Sequence, residues 1–164
     1  MELVLMIGIQ ASGKSTFYRE RLFDTHLRLS LDLLRTRHRE ERLLATWLAV
    51  KQRVVIDNTN VRAAERARYI APARAAGFRI VAYVFVPDVR AALGRNAARA
   101  GRAHVPPAGL VGTYKRLEPP GWDEGFDAIS AVWVDADGGF REEPWTAGEP
   151  WSTPLRGGPV PDGG

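Results

Sequence analysis

The chain has no cysteine in its 164 residues. That excludes disulfide staples and thiolate metal sites, and it suits a reducing compartment. Histidine is nearly as scarce. His26, His38 and His104 are scattered without metal-ligand spacing and are expected to be surface or structural residues. No apolar run approaches the ~20 residues that a membrane-spanning helix needs. The first apolar run, residues 3–9, is strand-length and ends in a glycine-containing turn, so it is not expected to be a signal peptide. No membrane partner is expected, and a cytoplasmic location is.

With 45% apolar and 26% charged residues, the composition suits one globular domain with a substantial core. That domain is expected over residues 1–140. Residues 141–164 are rich in Pro, Gly and Trp, with EPW at 143–145 and again at 149–151. They are expected to form an irregular tail, with Trp145 and Trp151 available as anchors on the surface. The net charge of +4 is unevenly placed, since residues 35–102 hold 15 Lys and Arg against 5 Asp and Glu. A basic block of this kind suits a polyanionic partner, or equally a set of solvated helix faces.

Short β-branched runs alternate with helical patterns. Strands are expected at 3–9, 27–32, 53–57, 79–86 and 129–134. Helices are expected from Lys14 to Phe23, over 33–51 and 62–76, from Pro87 to Arg99, and over 108–117, with 100–108 a loop. Gly77 stands where a helix C-terminus favours it. The alternation implies an α/β fold: a parallel β-sheet of about five strands flanked by helices. Ligands bind such sheets at the carboxyl ends of the strands.

At the first of those ends stands 8-GIQASGKSTF-17, a phosphate-binding loop of the form G-x4-G-K-S. It follows an expected strand and opens an expected helix, the context that separates it from a chance match. Gly8, Ala11, Ser12 and Gly13 would bring backbone amides to the phosphates of a nucleoside triphosphate, ATP or another. Lys14 would reach the β and γ oxygens, Ser15 would ligate Mg²⁺, and Thr16 would lie near the α-phosphate. No NKxD guanine-reading motif occurs, and 164 residues leave little room for the sensor elements of a motor ATPase.

Asp32 closes the second expected strand, where a carboxylate can take the proton of an acceptor hydroxyl. The competing reading is a helix N-cap. Arg35 lies one helical turn on and suits an acceptor phosphate. Asp57 ends the third strand, where a carboxylate would hold Mg²⁺ through water. Asn58, Thr59 and Asn60 offer hydrogen bonds toward the acceptor or the loop, or else satisfy a polar turn. Arg95 and Arg99 share a helix face at i, i+4, and Arg102 follows in AGRAHVPPAG, which has the look of an arginine-bearing lid over the donor. A solvated basic face is the alternative.

G-x4-G-K-S-T (8–16), S-L-D-x-x-R (30–35), V-V-I-D-N-T-N (54–60) and R-N-x-x-R (95–99), with the segment 105–129, resemble the P-loop 5′-hydroxyl polynucleotide kinases of phage and bacterial nucleic-acid repair and of animal polynucleotide kinase-phosphatases. The resemblance covers about residues 3–135. It implies the P-loop kinase fold and transfer of a γ-phosphate to the 5′-OH end of DNA or RNA. It also implies Lys14 and Ser15 on the triphosphate and Mg²⁺, Asp32 as general base, Arg35 on the acceptor phosphate, and Arg95 and Arg99 on the donor. Two other readings stay open: a small-molecule kinase acting on a nucleoside, sugar or antibiotic hydroxyl, and a regulatory ATPase that passes phosphate only to water.

Overall fold

The computed structural model describes residues 1–146, apart from the Arg102 side chain. The expected Trp151 anchor and the rest of 147–164 lie outside the described residues.

The elements are β1 (Glu2–Ile7), α1 (Lys14–Arg21), β2 (Leu27–Leu29), α2 (Leu31–Leu34), α3 (Arg37–Ala49), β3 (Val54–Ile56) and α4 (Ala63–Ala75). Then come β4 (Arg79–Phe85), α5 (Val89–Ala97), a 3-10 turn at Gly101–Ala103, α6 (Pro107–Lys115), a second 3-10 turn at Trp122–Glu124, β5 (Ala128–Val134) and β6 (Phe140–Pro144). Among the described residues the sheet order is β2-β3-β1-β4-β5-β6, parallel except for β6. β1 pairs β3 on one side and β4 on the other. The loop after β1 therefore opens at the switch point, where open α/β sheets form their crevice.

The unbroken apolar run of β1 follows from burial on both faces. Leu3, Leu5 and Ile7 join one core cluster with α3, α4 and Trp145. Val4 and Met6 join the other, under α1. Phe17 of α1 is the centre of that second layer, with ring centroids 4.9 Å from Tyr83, 5.4 Å from Phe85 and 5.2 Å from Phe140.

Several boundaries depart from expectation. β2 stops at Leu29, because the Leu31 amide leaves the ladder and donates to Asn58 Oδ1 at 2.9 Å. The helix expected over 33–51 is two helices. Arg35 adopts a left-handed φ of 71° that ends α2, and Thr36 then caps α3 by accepting from the Arg39 amide. Pro87 precedes α5 rather than opening it, since Asp88 is the N-cap and accepts from the Ala91 amide at 2.9 Å. The expected irregular tail begins too early. Residues 141–144 complete β6 against β5, and Trp145 is buried in the core. The alternation of Arg141, Glu142 and Glu143 carries no apolar signal, because this edge strand shows its side chains to solvent. Gly77, at φ 74°, ends α4 as expected.

Arg66 has no solvent exposure. It donates to both Glu124 carboxylate oxygens at 2.7 Å, and its Nη1 donates to the carbonyls of Asn60 at 3.0 Å and Glu118 at 3.1 Å. The guanidinium thus ties α4 to the segment before β5. Arg66→Met leaves the Asn60 and Glu118 carbonyls without this donor and the largely buried Glu124 carboxylate with only the Gly121 amide. It is expected to lower the unfolding free energy by about 3–5 kcal/mol, read from urea midpoints at constant slope.

Candidate active site

The phosphate loop is held from below by steric limits on its glycines. A Cβ on Gly8 would lie 2.9 Å from Phe85 Cβ. Gly13 caps α1 at φ 96°, and a Cβ there would meet Val134 at 3.1 Å and Phe140 at 3.2 Å. Ala11 also takes a positive φ of 57°. The β5–β6 hairpin, which supplies Val134 and Phe140, is therefore the floor of the loop.

Lys14 is buried, at 8% exposure. Its Nζ donates to the carbonyls of Gly8 at 2.9 Å and Ile9 at 2.6 Å and to Ser12 Oγ at 3.3 Å. Burial pulls its pKa down from 10.5 to about 8. Asp57 and Asp32 act in the opposite direction, and Arg99 adds to the lowering. Asp32 is exposed on α2 at its first turn, and the N-cap is Ser30, so Asp32 does not serve as the cap.

Ser15 Oγ donates to Asp57 Oδ2 at 2.9 Å. A hydroxyl and a carboxylate side by side are hard oxygen donors that fit Mg²⁺. Among the described residues no group of three or more His, Asp or Glu gathers to hold a metal. A cation here would complete its shell with phosphate oxygens and water, as Mg²⁺ commonly does.

Other expected residues fall differently. Thr16 is half-buried and its Oγ1 accepts from Arg19 at 3.4 Å. Arg35 is exposed, but as the left-handed cap of α2 it is not aligned with Asp32 by helix geometry. Arg95 Nε donates to the Ala11 carbonyl at 2.7 Å, which joins α5 to the phosphate loop. Arg99 lies two residues past the end of α5, exposed, with Nη1 3.4 Å from the Ala103 carbonyl. The pair therefore does not share a helix face.

Asn58 and Asn60 were expected to face the acceptor or the loop, and protein groups occupy both amides. Asn58 Nδ2 donates to Glu40 Oε1 at 2.6 Å and to the Tyr69 hydroxyl at 3.0 Å. Asn60 is 2% exposed, and its Nδ2 donates to the Met6 carbonyl at 2.8 Å. Thr59 contributes its carbonyl, which accepts from the Gly8 amide at 3.0 Å. The IDNTN segment positions the loop and α2 rather than reaching outward. Burial and the neighbouring Glu40 push the Tyr69 hydroxyl up to about 12, so it stays a donor at neutral pH.

Two participants escape sequence reasoning. Asn96 is 1% exposed and exchanges both hydrogen bonds with Val105, at 2.6 and 3.0 Å, which pins the lid segment back onto α5. The Asn in R-N-x-x-R is a legible signal only in hindsight, since an amide that both donates and accepts can mimic a strand partner. Arg28 of β2 donates to Asp57 and to Ser15. A single charge in a short alternating strand reads as solvent-facing.

A family model described as an AAA domain matches residues 3–120. The chain belongs to that family. Among solved structures, it is similar to Kti12 of Chaetomium thermophilum in complex with ADP-AlF3, at 15% identity over 82% of this chain and 92% of that one, with a TM-score of 0.61. A sugar kinase from Janibacter sp. HTCC2649 matches at 15% identity over 81% and 85%, with a TM-score of 0.64. A gluconokinase from Sinorhizobium meliloti matches at 18% identity over 81% and 82%, with a TM-score of 0.55. These likenesses carry the fold, which is the P-loop kinase fold: a mostly parallel sheet flanked by helices. No helix among the described residues is long and apolar enough to cross a membrane.

The depressed Lys14 pKa has a sign that can be tested. Folded Lys14 loses its proton near pH 8 and the unfolded one near 10.5. Between those values the unfolded chain binds more protons, so this group's contribution to stability rises with pH; below about 8 it is a constant cost. Nucleotide-free Lys14→Met is therefore expected to be more stable than wild type at pH 7. The gap should close between about pH 8 and 10.5 in urea titrations, and the variant should lose nucleotide binding.

Proposed function

We propose that the protein is a polynucleotide 5′-hydroxyl kinase, transferring the γ-phosphate of ATP or another nucleoside triphosphate to the 5′-OH end of DNA or RNA. The observation that carries this reading is the Ser15 hydroxyl paired with Asp57 at 2.9 Å beside the buried Lys14 of the phosphate loop, with Asp32 exposed just past β2 on the same edge of the parallel sheet. This arrangement supports a donor site, a metal subsite and a carboxylate for the acceptor at one sheet edge. Gly8, Ala11, Ser12, Gly13, Lys14, Ser15 and Thr16 bind the donor, and Arg95 and Arg99 approach it from the lid. Kti12, of the same fold, was solved with ADP-AlF3, which supports a nucleotide in this loop. Mg²⁺, held through Ser15 and Asp57, would neutralise charge on the transferring phosphate.

Asp32 is the carboxylate proposed for the acceptor side. Exposed on a single turn of helix, it is open to an incoming hydroxyl and able to accept its proton. Arg35, three residues on and free in solvent, would hold the phosphate beside the acceptor nucleoside. The excess of arginine between 35 and 102 suits a polyanion. A second reading, a small hydroxylated substrate, draws support from the sugar kinase and gluconokinase among the fold neighbours.

The deciding experiment supplies γ-labelled ATP and Mg²⁺ to a panel of 5′-OH DNA, 5′-OH RNA, nucleosides, gluconate and water. Label on the oligonucleotides is expected. Label on gluconate or nucleosides alone would select the small-molecule reading, and label released only as inorganic phosphate would select the ATPase.

Asp32→Asn tests the base. The residue does not cap α2, so the variant is expected to melt near wild type and to bind nucleotide unchanged. Phosphoryl transfer should fall by about 10²–10⁴-fold. A transfer rate within a few-fold of wild type would remove Asp32 from the mechanism.

A further inference from the structure

Arg28 has no place in the reading above, yet it makes the tightest charged contact of the site. Its Nε lies 2.7 Å and its Nη2 2.6 Å from Asp57 Oδ2, and Nη2 also donates to Ser15 Oγ at 3.1 Å. The Ser15 hydroxyl donates to that same Oδ2 at 2.9 Å. The guanidinium thus covers the hydroxyl and the carboxylate oxygen that a divalent cation would need. Its carbon stands 5.7 Å from the centre of the Tyr18 ring, and its side chain is 29% exposed, against 3% for Asp57. The arginine has room to turn, whereas the aspartate does not.

We propose that Arg28 is a built-in counter-cation of the metal subsite: it occupies Asp57 and Ser15 and lowers their affinity for a free divalent ion, so that the metal enters with a nucleotide rather than alone. The charges around the subsite argue for this order. Arg28 already pairs Asp57, the one anion in contact with the hydroxyl, and the Lys14 ammonium lies in the adjoining loop, so a free dication meets a net positive site. A triphosphate reverses that sign. It supplies oxygens for the metal and an alternative partner for the guanidinium. The inference rests on Ser15 and Asp57 being the metal ligands, but not on what the acceptor is.

Mn²⁺ reports on this directly, because its electron paramagnetic resonance signal measures the free ion without any nucleotide. Arg28→Gln keeps a hydrogen-bonding group and removes the charge. It is expected to bind Mn²⁺ at least about tenfold more tightly than wild type, a gain that a merely structural arginine would not give. Adding Asp57→Asn should abolish the gain. Arg28→Lys, which keeps the charge, should remain as weak as wild type. Equal or weaker Mn²⁺ binding by Arg28→Gln would overturn the proposal. If that variant does not fold, Arg28→Met, which keeps the stem against Tyr18, carries the same comparison. Neither acceptor nor transfer enters the measurement. A protein that labels no 5′-OH end can still show the gain, and an active kinase without it would defeat this inference alone.

Discussion

A buried guanidinium sets the geometry on which the catalytic edge depends. Arg66 cannot be solvated, so everything within its reach must supply acceptors: both oxygens of Glu124 and the carbonyls of Asn60 and Glu118. Holding the Asn60 carbonyl fixes a residue in the left-handed region, at φ 49°. That conformation sends the Asn60 amide under the end of β1, to the Met6 carbonyl, while the neighbouring Thr59 carbonyl accepts from Gly8. A charge far from any phosphate thus decides where the phosphate loop begins. Isolated buried charges are costly, and their partners are correspondingly hard to move.

The loop itself holds a second buried cation in a less comfortable state. Among the described residues Lys14 has two carbonyls and a hydroxyl but no carboxylate in contact, and burial lowers its pKa. Positive φ at Ala11 and Gly13 and the tight packing of Gly8 on Phe85 add conformational constraint. Such a loop is preorganised for an anion and destabilised without one. The stability comes from elsewhere: the Phe17 aromatic cluster beneath α1, the hairpin floor, and the Arg95 contact to the Ala11 carbonyl. A buried ammonium that costs stability is a frequent feature of functional sites.

The parts legible in the sequence were those with local signals. The phosphate loop, the parallel strands, the Gly77 cap and Asp57 at a strand end all follow from periodicity or from glycine chemistry. The misreadings share a cause, which is a tertiary partner outbidding a local pattern. Asn58 takes the Leu31 amide, so β2 is short and α2 exists at all. Trp145 is buried by β5, so the tail starts later than its composition suggests. Arg28 looks like a solvent-facing strand residue until β3 brings Asp57 beside it. The asparagines of IDNTN were legible as important, and of the directions open to them their amides take protein partners. An amide that bonds protein on both sides cannot be told from one that awaits a ligand by its position alone.

The donor and acceptor halves are built to different standards, and this bears on what family membership can decide. The donor half rests on buried charges, steric floors and main-chain bonds from β1, β3, α5 and the hairpin. Few substitutions there keep the loop. The acceptor half, as proposed, rests on one turn of helix. Asp32 and Arg35 are exposed on α2, and its hold on the sheet comes through the Leu31 amide and the Asn58, Glu40 and Tyr69 network behind it. That network fixes where α2 sits but leaves its outer side chains unconstrained, so they can change without disturbing the core. The P-loop kinase fold and the AAA domain family therefore specify triphosphate chemistry, while the acceptor is set by a few exposed side chains that the fold does not dictate. Sugar kinases and a nucleotide-bound Kti12 can share this architecture at 15–18% identity for that reason. In the proposed function, selectivity for a 5′-OH end rests on Asp32 and Arg35, because those two side chains are the part of the site that can vary freely.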